Sequence, residues 1–203
     1  MKIIGLTGPS GAGKGELGLH LAKRGIPIID ADRVYHELLL PPSPCLDALV
    51  REFGNGILQK DSTLDRVTLA ALVFAQDEIA TSRREALNRI THRFVTEKVR
   101  ELLLEYEANS HAAAVIDAPL LIEAGLDSVC DLVVAVLADR EVRLERLMQR
   151  DGKSRATLLS RIDAQPSDEF YASRADIVII NNGDSAQLED QAAQIIVQAG
   201  LAL

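Results

Sequence analysis

The chain predicts an α/β fold, a parallel sheet flanked by helices, and three features of its 203 residues carry that expectation. Short apolar runs alternate with longer helical stretches toward both ends, the pattern of parallel strands joined by crossover helices. The first apolar run, Ile3-Ile4-Gly5-Leu6, leads into Gly8-Pro9-Ser10-Gly11-Ala12-Gly13-Lys14, which has the G-x-x-x-x-G-K spacing of a phosphate-binding loop. From Cys45 to about Ser110 the strand signal gives way to helical spacing, so a helical block interrupts the alternation.

Each element follows from local pattern. Lys2 to Leu6 is the first strand, and Gly15 to Arg24 a helix that Gly25 stops. Ile26 to Ile29 is a second strand, ending in Asp30-Ala31-Asp32, with Asp30 or Asp32 available to cap a helix starting near Val34. Pro41-Pro42-Ser43-Pro44 breaks the chain. Beyond it, Leu46, Leu49, Val50 and Phe53 are spaced for a helix, as are Leu69, Leu72 and Val73, and Gly54-Asn55-Gly56 is a turn. Thr81 to Tyr106 reads as one long, charged helix. Ala113 to Ile116 is a strand ending at Asp117-Ala118-Pro119, Leu132 to Leu137 is another, and Asp139 stands as N-cap for a helix to Gln149. The polar, arginine-rich stretch from 150 to 170 has the texture of a mobile lid. Ile177 to Ile180 is the last strand, followed by Asn181-Asn182-Gly183 and a final helix. The expected organisation is a core of residues 1–37 and 111–203, with the lid at about 150–170, and a helical domain of residues 38–110.

Composition removes several function classes. A hydrophobic content of 47% is ample for a buried core. The chain has no tryptophan and a net charge of -8, so neither base stacking nor a global electrostatic pull favours nucleic acid. Leu132 to Ala138, the longest strongly apolar stretch, is too short to cross a bilayer, and the brief N-terminal apolar run is too short for a secretory signal. Cys45 and Cys130 lie in no ligand-spaced motif and read as buried or incidental thiols of a reducing compartment. The expectation is a soluble, cytoplasmic protein with no membrane or nucleic-acid partner, a monomer or small homo-oligomer.

The chemistry concentrates at the glycine loop. Glycines let backbone N–H groups approach an anion, the helix near Lys14 adds its positive dipole end, and Lys14 supplies a point charge between the β- and γ-phosphates. A bare strand-to-helix turn is the alternative reading. Gly15 stands where a Ser or Thr hydroxyl usually meets Mg2+, and Glu16 follows; Mg2+ keeps several waters, so glycine there is compatible with metal binding. Ligands in open α/β sheets bind at the C-terminal strand ends, where Asp30, Asp32 and Asp117 stand. Asp32 is the candidate base for an acceptor hydroxyl and Asp117 the candidate for a water-mediated metal shell. Capping and a solvated strand end are the competing readings. Among Arg140, Arg143, Arg146, Arg150, Arg155 and Arg161, most read as a solvated face, whereas Arg146 and Arg150, an i, i+4 pair beside the lid, are candidates to stabilise a transferring phosphoryl group. His36 and His92 have no metal-ligand spacing, so a zinc site is rejected.

Four segments together resemble the dephospho-coenzyme A kinase family of the P-loop kinase superfamily: Gly5-Leu6-Thr7-Gly8 leading to Lys14; Ile29-Asp30-Ala31-Asp32 with His36; Pro119-Leu120-Leu121-Ile122-Glu123; and Arg146-Leu147-Met148-Gln149-Arg150 with Arg161, Gln165, Ala175-Asp176 and Asn181-Asn182-Gly183. The resemblance spans nearly the whole chain. It implies a P-loop kinase fold with a helical substrate-domain insertion and a lid, and transfer of the ATP γ-phosphoryl group to the ribose 3′-hydroxyl of dephospho-coenzyme A. By the same resemblance Asp32 is the base, Lys14, Arg146 and Arg150 are catalytic, and Gly8, Pro9, Ser10, Gly11, Ala12, Gly13, Lys14, Gly15 and Glu16 bind ATP with Asn181, Asn182 and Gly183. Asp32, His36, His92, Pro119, Leu120 and Glu123 then meet the acceptor, and Mg2+ falls to Asp117 through water and to Glu16. Gly15-Glu16 replaces the family's usual Ser/Thr-Thr pair, and Arg93 follows His92 where the family usually has proline. A kinase of a nucleotide or other small metabolite, and a nucleotide-binding module with weakened catalysis, stand as alternatives.

Overall fold

The computed structural model describes residues 1–75, 77–183 and 185–201. The chain divides into two compact units, Met1–Asp30 with Leu103–Leu203, and Ala31–Leu102. The sequence placed the breaks at 37/38 and 110/111; the second unit instead takes in the helix directly after the second strand and gives up the end of the long helix. Residues 184, 202 and 203 of the predicted core lie outside the described residues.

The first unit is built on five strands: β1 (Lys2–Thr7), β2 (Ile28–Asp30), β3 (Ala113–Asp117), β4 (Leu132–Leu137) and β5 (Ile177–Ile180). They form one sheet in the order β2-β3-β1-β4-β5, and every pairing is parallel. The central strands are covered on both faces, so they read as continuous apolar runs. Ile4, Leu6, Val115, Ile116, Val134 and Val136 are fully buried; each such side chain contributes about 1.5–3 kcal/mol by leaving water. The helices of this unit are α1 (Lys14–Ala22), α6 (Arg140–Asp151), α7 (Arg155–Asp163), α8 (Asp168–Ala172) and α9 (Ser185–Gln198). Leu17 and Leu21 of α1 share one core with Leu188, Ala192 and Ile195 of α9.

The stretch expected to be a lid carries two short helices. Leu158 and Ile162 of α7 bury against Leu144 and Leu147 of α6. Ser154 and Ser167 cap α7 and α8, accepting from the N–H groups of Thr157 and Phe170. Asp139 does occupy the N-cap position of α6, but its side chain makes no capping bond. Its own N–H instead donates to Asn182 Oδ1 at 2.8 Å.

The second unit is helical: α2 (Ala31–Glu37), α3 (Pro44–Phe53), α4 (Arg66–Val73) and most of α5 (Ala80–Ala108). Helix α2 begins at Ala31 rather than near Val34, so Asp30 closes β2 and Asp32 lies within the first helical turn. Two caps explain the next starts: Ser43 Oγ accepts from Leu46 N–H at 3.2 Å, and Asp65 accepts from Val67 and Thr68 N–H at 3.0 Å, each cap contributing about 1 kcal/mol. The unit closes on its own core of Leu39, Cys45, Leu46, Leu49, Ile57, Leu64, Leu69 and Val73. No helix among the described residues is long and apolar enough to cross a membrane.

Candidate active site

The strand order places β1 between β3 and β4, and the chain leaves β1 toward one side of the sheet and later returns to the other. Such a reversal opens a crevice at the C-terminal strand ends. The register puts Leu6, Asp117 and Asp30 side by side there. Residues 8–13 continue from β1, with Gly8 and Pro9 buried, and α1 begins at Lys14.

Two of the loop's glycines illustrate what its geometry requires. Gly11 has φ +82, and a Cβ on it would lie 2.7 Å from the Arg143 carbonyl oxygen of α6. Gly13, the N-cap of α1, has φ +98, and a Cβ there would collide with the Asn181 amide nitrogen. Only glycine takes such dihedrals without strain while leaving the neighbouring backbone this close. The first turn of α1 keeps N–H groups that the helix itself does not satisfy, and its positive end faces the loop.

Lys14 is mostly buried and its ammonium bonds the Asp117 carboxylate. Two charges are thereby held together at the mouth of the loop, a lysine suited to phosphate oxygens and a carboxylate suited to a hydrated cation. Asn181, 3% exposed, donates from its amide to the Ala12 carbonyl at 2.8 Å, tying the end of β5 to the loop. Arg146 donates to the carbonyls of Asn181 at 2.9 Å and Gly183 at 3.1 Å. Thus Lys14, Asp117, Arg146, Asn181, Asn182 and Gly183 gather with the loop in one unit.

Arg150 is exposed and engaged with Asp151 at 2.6 Å. Ser10 bonds Arg143, Arg161 and Gln165. Most of these arginines do stand exposed, and Arg143 is the buried exception. It is 5% exposed, and burial lowers its proton affinity while the Asp168 carboxylate at 3.7 Å opposes that shift. Its periodicity held the clue, because Arg143 shares a face of α6 with the buried Leu147 and lies beside Leu144. Gln165 had no signal of its own beyond the family pattern.

Pro119 accepts from the Thr7 hydroxyl at 3.4 Å, and Leu120 is exposed. Burial pushes the Glu123 carboxyl up, against its own backbone amide and Arg174. Gly15 and Glu16 are exposed in the first turn of α1, and a Cβ on Gly15 would meet nothing within 4 Å. Asp32, His36 and His92 belong to the helical unit, the first two exposed and the third half-buried. Among the described residues no group of three or more His, Cys, Asp or Glu is placed to hold a metal. Both cysteines are free thiols, Cys45 buried and Cys130 partly so.

A glycine loop ending in a lysine, set at the reversal point of a five-stranded parallel sheet beside a strand-end carboxylate, defines a P-loop phosphotransferase. Comparison with known proteins narrows the class. The profile of the dephospho-CoA kinase family matches residues 2–187. A dephospho-CoA kinase of Corynebacterium glutamicum is 38% identical over 198 residues, covering 98% of this chain and 100% of the relative. A crystal structure from Thermus thermophilus superposes with a TM-score of 0.79 at 30% identity, covering 100% of this chain and 98% of that one. Dephospho-CoA kinase from Campylobacter jejuni shares the fold, with a TM-score of 0.70 at 24% identity over 98% of this chain and 97% of that one. The chain belongs to the dephospho-CoA kinase family.

Proposed function

We propose that this chain transfers the γ-phosphoryl group of ATP to the ribose 3′-hydroxyl of dephospho-coenzyme A, forming coenzyme A in the last step of its biosynthesis. One observation carries the reading: the loop of residues 8–13 opens onto Lys14, paired with Asp117, at the strand ends of a sheet whose chain belongs to that family. The loop amides and the N-terminus of α1 receive the polyphosphate, and Lys14 leaves Asp117 in favour of the β- and γ-oxygens. Asp32 accepts the proton of the 3′-hydroxyl as its oxygen bonds phosphorus and the bond from phosphorus to the β-phosphate oxygen breaks, so ADP departs. Arg146 and Arg150 offset charge on the transferring group. Asn181, Asn182 and Gly183 border the adenine. His36 and His92 of the helical unit are acceptor-binding residues, as are Pro119, Leu120 and Glu123 of the first unit.

Mg2+ neutralises phosphate charge when bound. Asp117 through water and Glu16 are the groups to hold it, since the ion keeps several waters and leans on substrate phosphates. The protein acts in the cytoplasm as a monomer or small homo-oligomer, on a small molecule rather than on nucleic acid or membrane. The test is ADP release with ATP, Mg2+ and either dephospho-coenzyme A or a panel of nucleotides. Turnover with dephospho-coenzyme A is expected; turnover with a nucleotide alone would overturn the acceptor assignment.

A further inference from the structure

Ser10 stands at the tip of the loop, and each of its polar groups is bonded to the segment carrying α6 and α7. Its N–H donates to Gln165 Oε1 at 3.2 Å, and its carbonyl accepts from Arg143 Nε at 3.0 Å. Its hydroxyl oxygen lies 3.1 Å from Gln165 Nε2 and 3.2 Å from an Arg161 nitrogen, both donors. A second Arg143 nitrogen donates to Gln165 Oε1 at 2.8 Å. This set fixes the Gln165 amide in one orientation, because a flipped amide would point its NH2 at two donors. A buried guanidinium is costly, and apolar packing often serves stability as well or better. Arg143 spends its hydrogen bonds on the loop and on the residue that clamps the loop. The α6 backbone joins them, pressing against Gly11 where no side chain fits.

We propose that Gln165, backed by Arg143, is a positioning residue that clamps Ser10 and so holds the Gly11–Lys14 turn in its anion-accepting form before ATP arrives. The clamp rests on the reading of the loop as a triphosphate site. It touches neither the γ-phosphate nor the acceptor; it acts through Ser10. Loss of the clamp therefore weakens ATP binding and leaves acceptor recognition intact.

The test uses the full chain and Gln165→Leu. Calorimetry should show ATP affinity falling about 10–100-fold, the scale on which small misplacements of a positioned group act. The KM for dephospho-coenzyme A should stay within about 2-fold, the melting temperature should change little, and amide exchange without ATP should quicken across residues 10–15 only. Gln165→Glu restores the acceptor facing Ser10 N–H and Arg143, and is expected to recover the loop's exchange protection. Ser10→Ala keeps both backbone bonds and should cost ATP binding less than Gln165→Leu does. Wild-type ATP affinity and loop exchange in Gln165→Leu would overturn the proposal, as would faster exchange spread evenly over the first unit. If the wild type binds ATP but does not phosphorylate dephospho-coenzyme A, while Gln165→Leu loses ATP affinity, the acceptor assignment falls and the clamp stands. A wild type that does not bind ATP would overturn both.

Discussion

Around the glycine loop several polar groups are buried and bonded to its backbone, whereas in the helical unit the candidate polar side chains stand on exposed or half-buried helix positions. Thr7, Arg143 and Asn181 are each no more than 5% exposed, and the latter two bond the loop backbone. The helical unit is held instead by an aliphatic core, with Asp32 and His36 outside it. The contrast teaches where order is required before substrate arrives. A polyphosphate needs several donors aimed in advance, and donors in water reorganise at a cost. An acceptor with its own shape and charge can be met by side chains that settle on contact.

The largest expected effect breaks the contrast on the exposed side. Asp32→Asn should lower kcat by about 10²–10⁴-fold, the usual range for a general base, while calorimetry shows ATP binding unchanged. A near-normal kcat would take the base role from Asp32. On the buried side, Lys14→Met should cost about 10²–10³-fold in kcat/KM, as loss of a charge-stabilising donor does. The same variant leaves Asp117 without its ammonium partner at a mostly buried place, so its melting temperature should fall as well.

Arg146→Ala removes both donors to the Asn181–Gly183 carbonyls, and the KM for ATP should rise about 10-fold, in line with one to two charged hydrogen bonds. Gly15→Ser sharpens the comparison in the other direction. A side chain there meets nothing, the residue is helical, and serine is the better helix former by about 0.5 kcal/mol. The hydroxyl should lower the Mg2+ concentration giving half-maximal rate by a few-fold; an unchanged Mg2+ dependence would show that the first turn of α1 gains no metal contact from it.

The smallest effect is a pH dependence of the helical unit. Burial lowers the His92 pKa below 6.5, so the folded state favours the neutral ring. The stability this contributes is present above the unfolded pKa of about 6.5 and is lost as pH falls through the folded value. Melting temperatures of wild type should drop more steeply than those of His92→Gln as pH falls below about 6.5.

The sheet was legible because buried parallel strands are written as unbroken apolar runs; Leu132–Leu137 and Ile177–Ile180 fell where expected. The loop was legible because glycine and lysine spacing is dictated by backbone geometry. Less visible were contacts between residues far apart in sequence. The spacing of Arg143 with Leu147 marks an inward face of α6, but nothing near it names Ser10, 133 positions away, as its partner. The start of α2 was misplaced because Ala31 follows a strand with no break, whereas Asp139 does stand at the N-cap position of α6, its side chain making no capping bond.

Strand β5 forms one rim of the sheet, four residues long, with Val178 and Ile180 41% and 55% exposed. Its outer row of peptide groups is a template for annealing with another chain, tempered by its brevity. Crowded refolding should therefore promote intermolecular β-pairing there. Val178→Lys would raise the protein's solubility limit and leave turnover alone.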